Sequence, residues 1–139
     1  MAPGGKTKLM MLDDEKFLLD IYKTYFEKNG YEVSTYHSAD DALNALRGGY
    51  DPDVILFDIT MPDSPSGYEF LEQVQIEKLN KRSVKIALTN EGQQAERKRT
   101  AELGANAHLI KADFVPSELV AEVTKILQEA KKPSWKRWF

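Results

Sequence analysis

Four consecutive apolar residues, Val54-Ile55-Leu56-Phe57, follow Asp51-Pro52 and end on Asp58, and no other stretch restricts the fold as strongly. A run this short and this continuous suits a strand covered on both faces of a parallel sheet, where the usual alternation of apolar and polar residues is lost. It is one of five such segments. Thr7 to Leu12 ends at Asp13-Asp14, Tyr31 to Tyr36 alternates as a strand, Val84 to Leu88 ends at Thr89, and Ala107 to Ile110 ends at Lys111. Each is followed by a segment with helical signals. From Glu15 onward Phe17, Leu18, Ile21, Tyr22 and Tyr25 recur as the apolar side of a helix that stops at Asn29-Gly30. Ser38 caps a second helix carrying Ala39, Ala42, Leu43 and Leu46 as far as Gly48-Gly49. Tyr68, Phe70, Leu71 and Val74 mark a third after a Pro-rich loop, the polar stretch Gln93 to Leu103 is a fourth closed by Gly104, and Pro116 opens a fifth with Leu119, Val120, Val123, Ile126 and Leu127 on its apolar side. Five strand-helix units in strict alternation predict parallel strands, right-handed crossovers and helices on both faces, a doubly wound α/β sheet.

At 139 residues the chain has room for one domain of this kind. The expected boundaries are an extension over 1–6, the domain over 7–130 and a basic, aromatic tail over 131–139. The apolar runs are far shorter than the roughly 20 residues of a membrane-crossing helix, and the N-terminus lacks a signal-peptide core. With no cysteine, disulfides and thiolate metal sites are excluded, which points to the cytoplasm. A net charge of −3 gives no overall basic field for direct nucleic-acid binding.

In an open parallel sheet the binding crevice lies beyond the carboxyl ends of the strands. Asp13-Asp14, Asp58, Thr89 and Lys111 all stand at such ends. Singly, each has a structural explanation as a cap, a turn residue or a solvated charge. Together they describe three carboxylates in one small crevice, whose mutual repulsion a hard divalent cation with oxygen ligands relieves. Mg2+ takes one or two carboxylates together with water and phosphate oxygens, so an aspartate oxygen is left as a nucleophile. A lysine charge and a threonine hydroxyl would neutralise the oxygens of a transferring phosphoryl group.

Over Thr7 to about Ala130 the sequence resembles the receiver domains of bacterial-type response regulators. The resemblance rests on "LDDE" at Leu12 to Glu15, "ILFDITMP" at Ile55 to Pro62 followed by Gly67, Thr89 after an apolar strand, and "GANAHLIK" at Gly104 to Lys111. It implies a flavodoxin-like (βα)5 sheet of order 2-1-3-4-5, with Asp58 as phosphoacceptor. By the same resemblance Asp13, Asp14 and Asp58 hold Mg2+ with the Thr60 carbonyl, and Thr89 and Lys111 bind the phosphoryl group. The phosphodonor would be a sensor histidine kinase or a histidine phosphotransfer protein. Such a domain is no general enzyme; it catalyses only its own phosphorylation and dephosphorylation.

Four positions depart from the family pattern. Asn90 replaces the small residue after the switch threonine, and His108 stands where the family has its switch aromatic. Lys111-Ala112-Asp113-Phe114 replaces Lys-Pro with one residue more before the phenylalanine, so a trans bond and a rearranged loop are expected there. The loop from Asp58 to Gly67 is one residue longer. Thr60 and Glu91 flank the approach of water and, like Asn90 and His108, are read as tuning positions.

Three other readings compete. A flavodoxin-type cofactor binder needs a Ser/Thr/Gly-rich phosphate loop after the first strand, where this chain has two aspartates. A Mg2+-dependent hydrolase with an aspartate nucleophile needs Asp-x-Asp on that strand and a cap domain. The remaining alternative is a receiver-like module that signals by partner binding without phosphorylation. No effector domain fits after Ala130, so output is expected through contacts with an unidentified protein, the homodimer included, or through a larger protein of which this is a piece. In the tail, Pro133 is expected to stop the last helix, and Trp135, Trp138 and Phe139, interleaved with Lys136 and Arg137, to dock on a protein surface.

Overall fold

A computed structural model describes residues 5–61, 65–90 and 94–132. Its strands are β1 (Thr7–Leu12), β2 (Tyr31–Tyr36), β3 (Val54–Asp58), β4 (Val84–Thr89) and β5 (Ala107–Ile110). Its helices are α1 (Lys16–Lys28), α2 (Ala39–Arg47), α3 (Gly67–Ile76), α4 (Gln94–Glu102) and α5 (Pro116–Lys131). All strand pairs are parallel, in the order β2-β1-β3-β4-β5. This is the doubly wound α/β sheet expected from the alternation. The order reverses after β1, so the crevice falls between the carboxyl ends of β1 and β3.

Alternation along the strands assigns residues to two cores. Leu9, Met11, Val54, Leu56, Ile86 and Leu88 face α1 and α5, where Leu19, Tyr22, Phe26, Leu119, Val120, Val123 and Leu127 meet them. Met10, Leu12, Ile55, Phe57 and Ala87 face the other way, onto Ala42, Leu43 and Leu46 of α2 and Phe70, Leu71 and Val74 of α3. Every residue of β3 is buried, as its unbroken apolar run requires. Below the sheet, Asp53 joins three strands: its carboxylate accepts from Lys8 N–H at 2.8 Å, its carbonyl from Val84 N–H, and Arg82 reaches both Asp51 and Asp53.

α2 begins as expected, with Ser38 Oγ accepting from Asp41 N–H at 3.2 Å. α5 has Pro116 in its first turn, and the Glu118 carboxylate accepts from Val115 N–H at 2.9 Å. α1 corrects the sequence reading. Its buried stripe is Leu19, Tyr22 and Phe26, with Leu18 partly covered, whereas Phe17, Ile21 and Tyr25 are exposed, Phe17 by 89%. Both sets satisfy helical spacing, and only packing against β2 and α5 selects the face. α4 is polar on all sides; of its residues only Thr100 is buried, and its hydroxyl donates back to its own helix, to the carbonyls of Glu96 and Arg97. Residues 1–4 of the expected extension, part of the 58–67 loop, Glu91 and the tail from Pro133 lie outside the described residues.

Candidate phosphoacceptor and metal site

β1 ends by delivering Asp13, buried, and Asp14, half-buried, at the edge of the crevice. Asp13 N–H donates to the Tyr36 carbonyl at 3.1 Å, and Glu15 N–H donates to Asp13 Oδ1 at 3.0 Å, which fixes that carboxylate's direction. Asp58 is the last residue of β3 and is 3% exposed. Its Oδ1 accepts from Thr60 N–H at 3.2 Å. Behind it, Gly67 N–H donates to the Ile59 carbonyl at 2.8 Å. A side chain at position 67 would collide with the Asp58 carbonyl oxygen and Ile59 Cα, so the start of α3 can press against the aspartate's turn only as glycine.

One carboxylate oxygen from each of Asp13, Asp14 and Asp58 lies within 4.8 Å of the others. Lys111 reaches into the same space from the end of β5. Its Nζ is 2.6 Å from Asp13 Oδ2, 3.4 Å from Asp58 Oδ2 and 3.8 Å from Glu15 Oε2. Burial works to lower the Lys111 pKa, but Asp13 first, then Asp58 and Glu15, hold it above the ordinary lysine value. Asp58 is pushed up from 3.8 to about 6, chiefly by burial, with Asp13 adding repulsion and Lys111 opposing both. One ammonium against three carboxylates leaves negative charge uncompensated. A donor set of carboxylate oxygens with that deficit fits a hard divalent cation.

Thr89, at the end of β4, is buried and stands in register with Ile110, while its neighbour Leu88 faces Asp58 across the sheet. A recess of about 230 Å³ opens beside it, lined by Thr60, Thr89, the exposed Asn90, and Glu96 from α4. His108 of β5 pairs with Ala87 of β4; it is half-buried, neither ring nitrogen has a hydrogen-bond partner, and burial, then the charge of Arg97, lowers its pKa. The bond from Lys111 to Ala112 is trans, and Lys111–Asp113 forms one turn of 3-10 helix that takes up the extra residue before Phe114.

All the predicted strand-end residues therefore converge. Asn90 and Thr60 border the site, His108 lies behind it on β5, and Glu91 falls outside the described residues. Sequence reasoning assigned no role to Glu15, which approaches Lys111, although it stood inside the quoted "LDDE" motif. It also missed Glu96, whose Oε1 is buried without a partner; nothing in the polar α4 pattern singles it out.

A doubly wound sheet with an acidic, lysine-backed crevice at its topological switch point defines a class of phosphoacceptor signalling domains. The response regulator receiver domain family matches residues 9–124, and the chain belongs to that family. It is therefore a receiver domain of two-component systems, whose members bind Mg2+ at an acidic site and interact with histidine kinases or phosphotransfer proteins. A phosphorylation-independent module is not favoured. The chain is 35% identical over 126 residues to response regulator SaeR of Staphylococcus aureus strain USA300, covering 91% of this chain and 53% of that protein. It thus spans about half the length of the curated relatives it matches. A CheY-like receiver domain protein from Methanospirillum hungatei superposes with a TM-score of 0.80 at 26% identity, covering 91% of this chain and 98% of the other. Chemotaxis response regulator CheY4 of Vibrio cholerae does so with a TM-score of 0.78 at 26% identity, covering 87% and 98%. No helix among the described residues is long and apolar enough to cross a membrane.

Proposed function

We propose that Asp58 accepts the phosphoryl group from a phosphohistidine of a sensor kinase or phosphotransfer protein. The observation that carries this reading is the placement of Asp58: buried, its carboxyl pKa raised to about 6, and bridged to Asp13 by the Lys111 ammonium. An Asp58 carboxylate oxygen forms the new bond to phosphorus, the phosphorus–nitrogen bond of the donor breaks, and the imidazole leaves. Asp13, Asp14, Asp58 and the Thr60 carbonyl would hold Mg2+, which supplies charge neutralisation at the transferring oxygens. Lys111 Nζ, already 3.4 Å from Asp58 Oδ2, adds a fixed positive charge to the same oxygens, and the Thr89 hydroxyl accepts the role of hydrogen-bond donor to them. Hydrolysis then regenerates the Asp58 carboxylate, its rate set by the residues around the adjoining recess, Thr60, Asn90 and Glu96.

The exposed α1 stripe suits the donor protein. It starts at Phe17, directly after the Asp13 to Lys16 corner of the site, so a partner helix lying on Phe17, Ile21 and Tyr25 places its histidine over Asp58. Output passes through protein contacts, the domain is cytoplasmic, and its folded extent runs from Thr7 to the end of α5 at Lys131, one residue beyond the boundary expected from the sequence, with the rest of the tail as an accessory docking segment. The reading is tested with a small-molecule phosphodonor and Mg2+, followed by intact mass. One phosphoryl group should add to the wild type and none to Asp58→Asn; equal labelling of both would overturn it.

A further inference from the structure

A cleft of about 370 Å³ opens at the other end of the sheet from Asp58, between the C-terminal part of α3, the loop after it and Gly104. Its floor is apolar, made by Val74 and Leu79, and its charged wall consists of Lys78, Lys81 and Lys85. No carboxylate lines it. Lys85 is the unusual member. It occupies a strand position on the face whose neighbour Ala87 joins the α2/α3 core, and it is 7% exposed. Its ammonium donates to the carbonyls of Asn80 at 3.0 Å and Ser83 at 3.1 Å and to Ser83 Oγ at 2.8 Å. All three acceptors are neutral, and among the described residues no carboxylate pairs with Lys85, Lys78 or Lys81. A buried cation without a counter-charge normally costs stability; here burial lowers the lysine's pKa with no acidic group to oppose it. The loop above also holds Lys78 and Asn80 at φ of 56° and 44°, a left-handed conformation that side chains adopt at a cost.

Three uncompensated positive charges over an apolar floor fit an anion that carries an apolar body. The volume lies within the roughly 300 to 1,000 Å³ range of small-molecule sites, and a bare orthophosphate would leave most of it empty. A long polyanion is disfavoured, because the cleft is a local concavity on a chain of net charge −3 rather than an extended basic strip. We propose that this cleft binds a small organic phosphate, with Lys78 and Lys81 on the phosphate, Lys85 as a fixed charge behind them, and the organic part on Val74 and Leu79. The site is separate from the Asp58 chemistry and does not depend on it.

The test is a titration of the full chain with adenosine monophosphate, and separately with inorganic phosphate, followed by amide NMR shifts in EDTA so that the acidic crevice holds no divalent cation. Saturable shifts are expected at Leu79, Lys85 and Gly104, with the nucleotide half-saturating below about 1 mM and at least roughly tenfold more tightly than inorganic phosphate. Lys78→Glu combined with Lys81→Glu, both at exposed positions, should weaken nucleotide binding at least roughly tenfold while circular dichroism and Asp58 labelling stay unchanged. No saturation by about 10 mM, equal affinity for inorganic phosphate, or unaltered binding by the double variant would overturn the assignment. Tighter binding of a single-stranded oligonucleotide than of the mononucleotide would also overturn it, in favour of a nucleic-acid surface.

Discussion

Replacing Asp58 by asparagine should stabilise the metal-free domain, although it removes the group on which the proposed function depends. In the folded protein the Asp58 carboxyl titrates at about 6 instead of 3.8, because burial and Asp13 together outweigh Lys111. A displacement of roughly two pH units corresponds to about 3 kcal/mol against the ionised form. Asparagine keeps an oxygen for Thr60 N–H and carries no charge, and Lys111 retains Asp13 at 2.6 Å. The sign follows from linkage: a raised carboxyl pKa contributes stability that is complete below the unfolded value near 4 and is lost as pH rises through the folded value near 6. In EDTA at pH 7 the variant should therefore exceed wild type by about 2 to 3 kcal/mol in urea denaturation, or roughly 10 °C in melting temperature. The gap should close as the pH is lowered toward 4. Saturating Mg2+ should narrow it at pH 7, because a ligand of the folded wild type stabilises it by mass action. A variant equal to or less stable than wild type at pH 7 in EDTA, or a gap independent of pH, would refute the assignment of burial and repulsion as the dominant forces on Asp58.

Asp14→Ala should weaken Mg2+ binding at least roughly tenfold in a calorimetric titration and slow phosphorylation with it, and unchanged affinity would remove Asp14 from the ligand set. Thr89→Ala should still accept a phosphoryl group but lose the NMR response that spreads over α4, β5 and α5; a full response in the variant would mean that Thr89 does not couple the site to that surface. Phe17→Ser should leave stability within about 0.5 kcal/mol, its side chain being exposed, and leave labelling by a small phosphodonor unchanged, while transfer from a histidine donor falls. Equal protein-to-protein transfer would place the donor elsewhere. Phe26→Ala, by contrast, opens the α1/α5 core and should cost about 3 to 5 kcal/mol by denaturant unfolding.

The sheet and the convergence of its strand ends were legible because they depend on local signals: β1 and β5 have the bounds their apolar runs imply, and Ser38 and Pro116 start their helices as capping and ring geometry require. Parallel topology then brings Asp13, Asp58, Thr89 and Lys111 together without any further information. The buried face of α1 was not legible in the same way. Phe17-Ile21-Tyr25 and Leu19-Tyr22-Phe26 have equal claims by period, and the choice is made by tertiary packing on β2, the next element of the chain, and on α5, which lies far away in sequence. Glu96 and the Lys85 cleft were hidden for a related reason. One lies in a helix with no apolar pattern, and the other is a lysine inside a strand, where the run of neighbours suggests only core.

α4 is the element the two cores hold least. A nine-residue helix is marginal by itself in water, so it persists by contacts with the sheet, and this one offers them a single buried hydroxyl-bearing side chain that hydrogen-bonds back to its own turn. Sliding or rotating such a helix forfeits little apolar burial, in contrast to α1, where moving Phe26 alone would uncover a ring packed edge-on against Tyr31 at 5.1 Å. With so little apolar area at stake, displacing α4 costs far less free energy than displacing α1. If Asp58 is phosphorylated as proposed, α4 is the element that can answer at the surface while the rest of the domain keeps its shape.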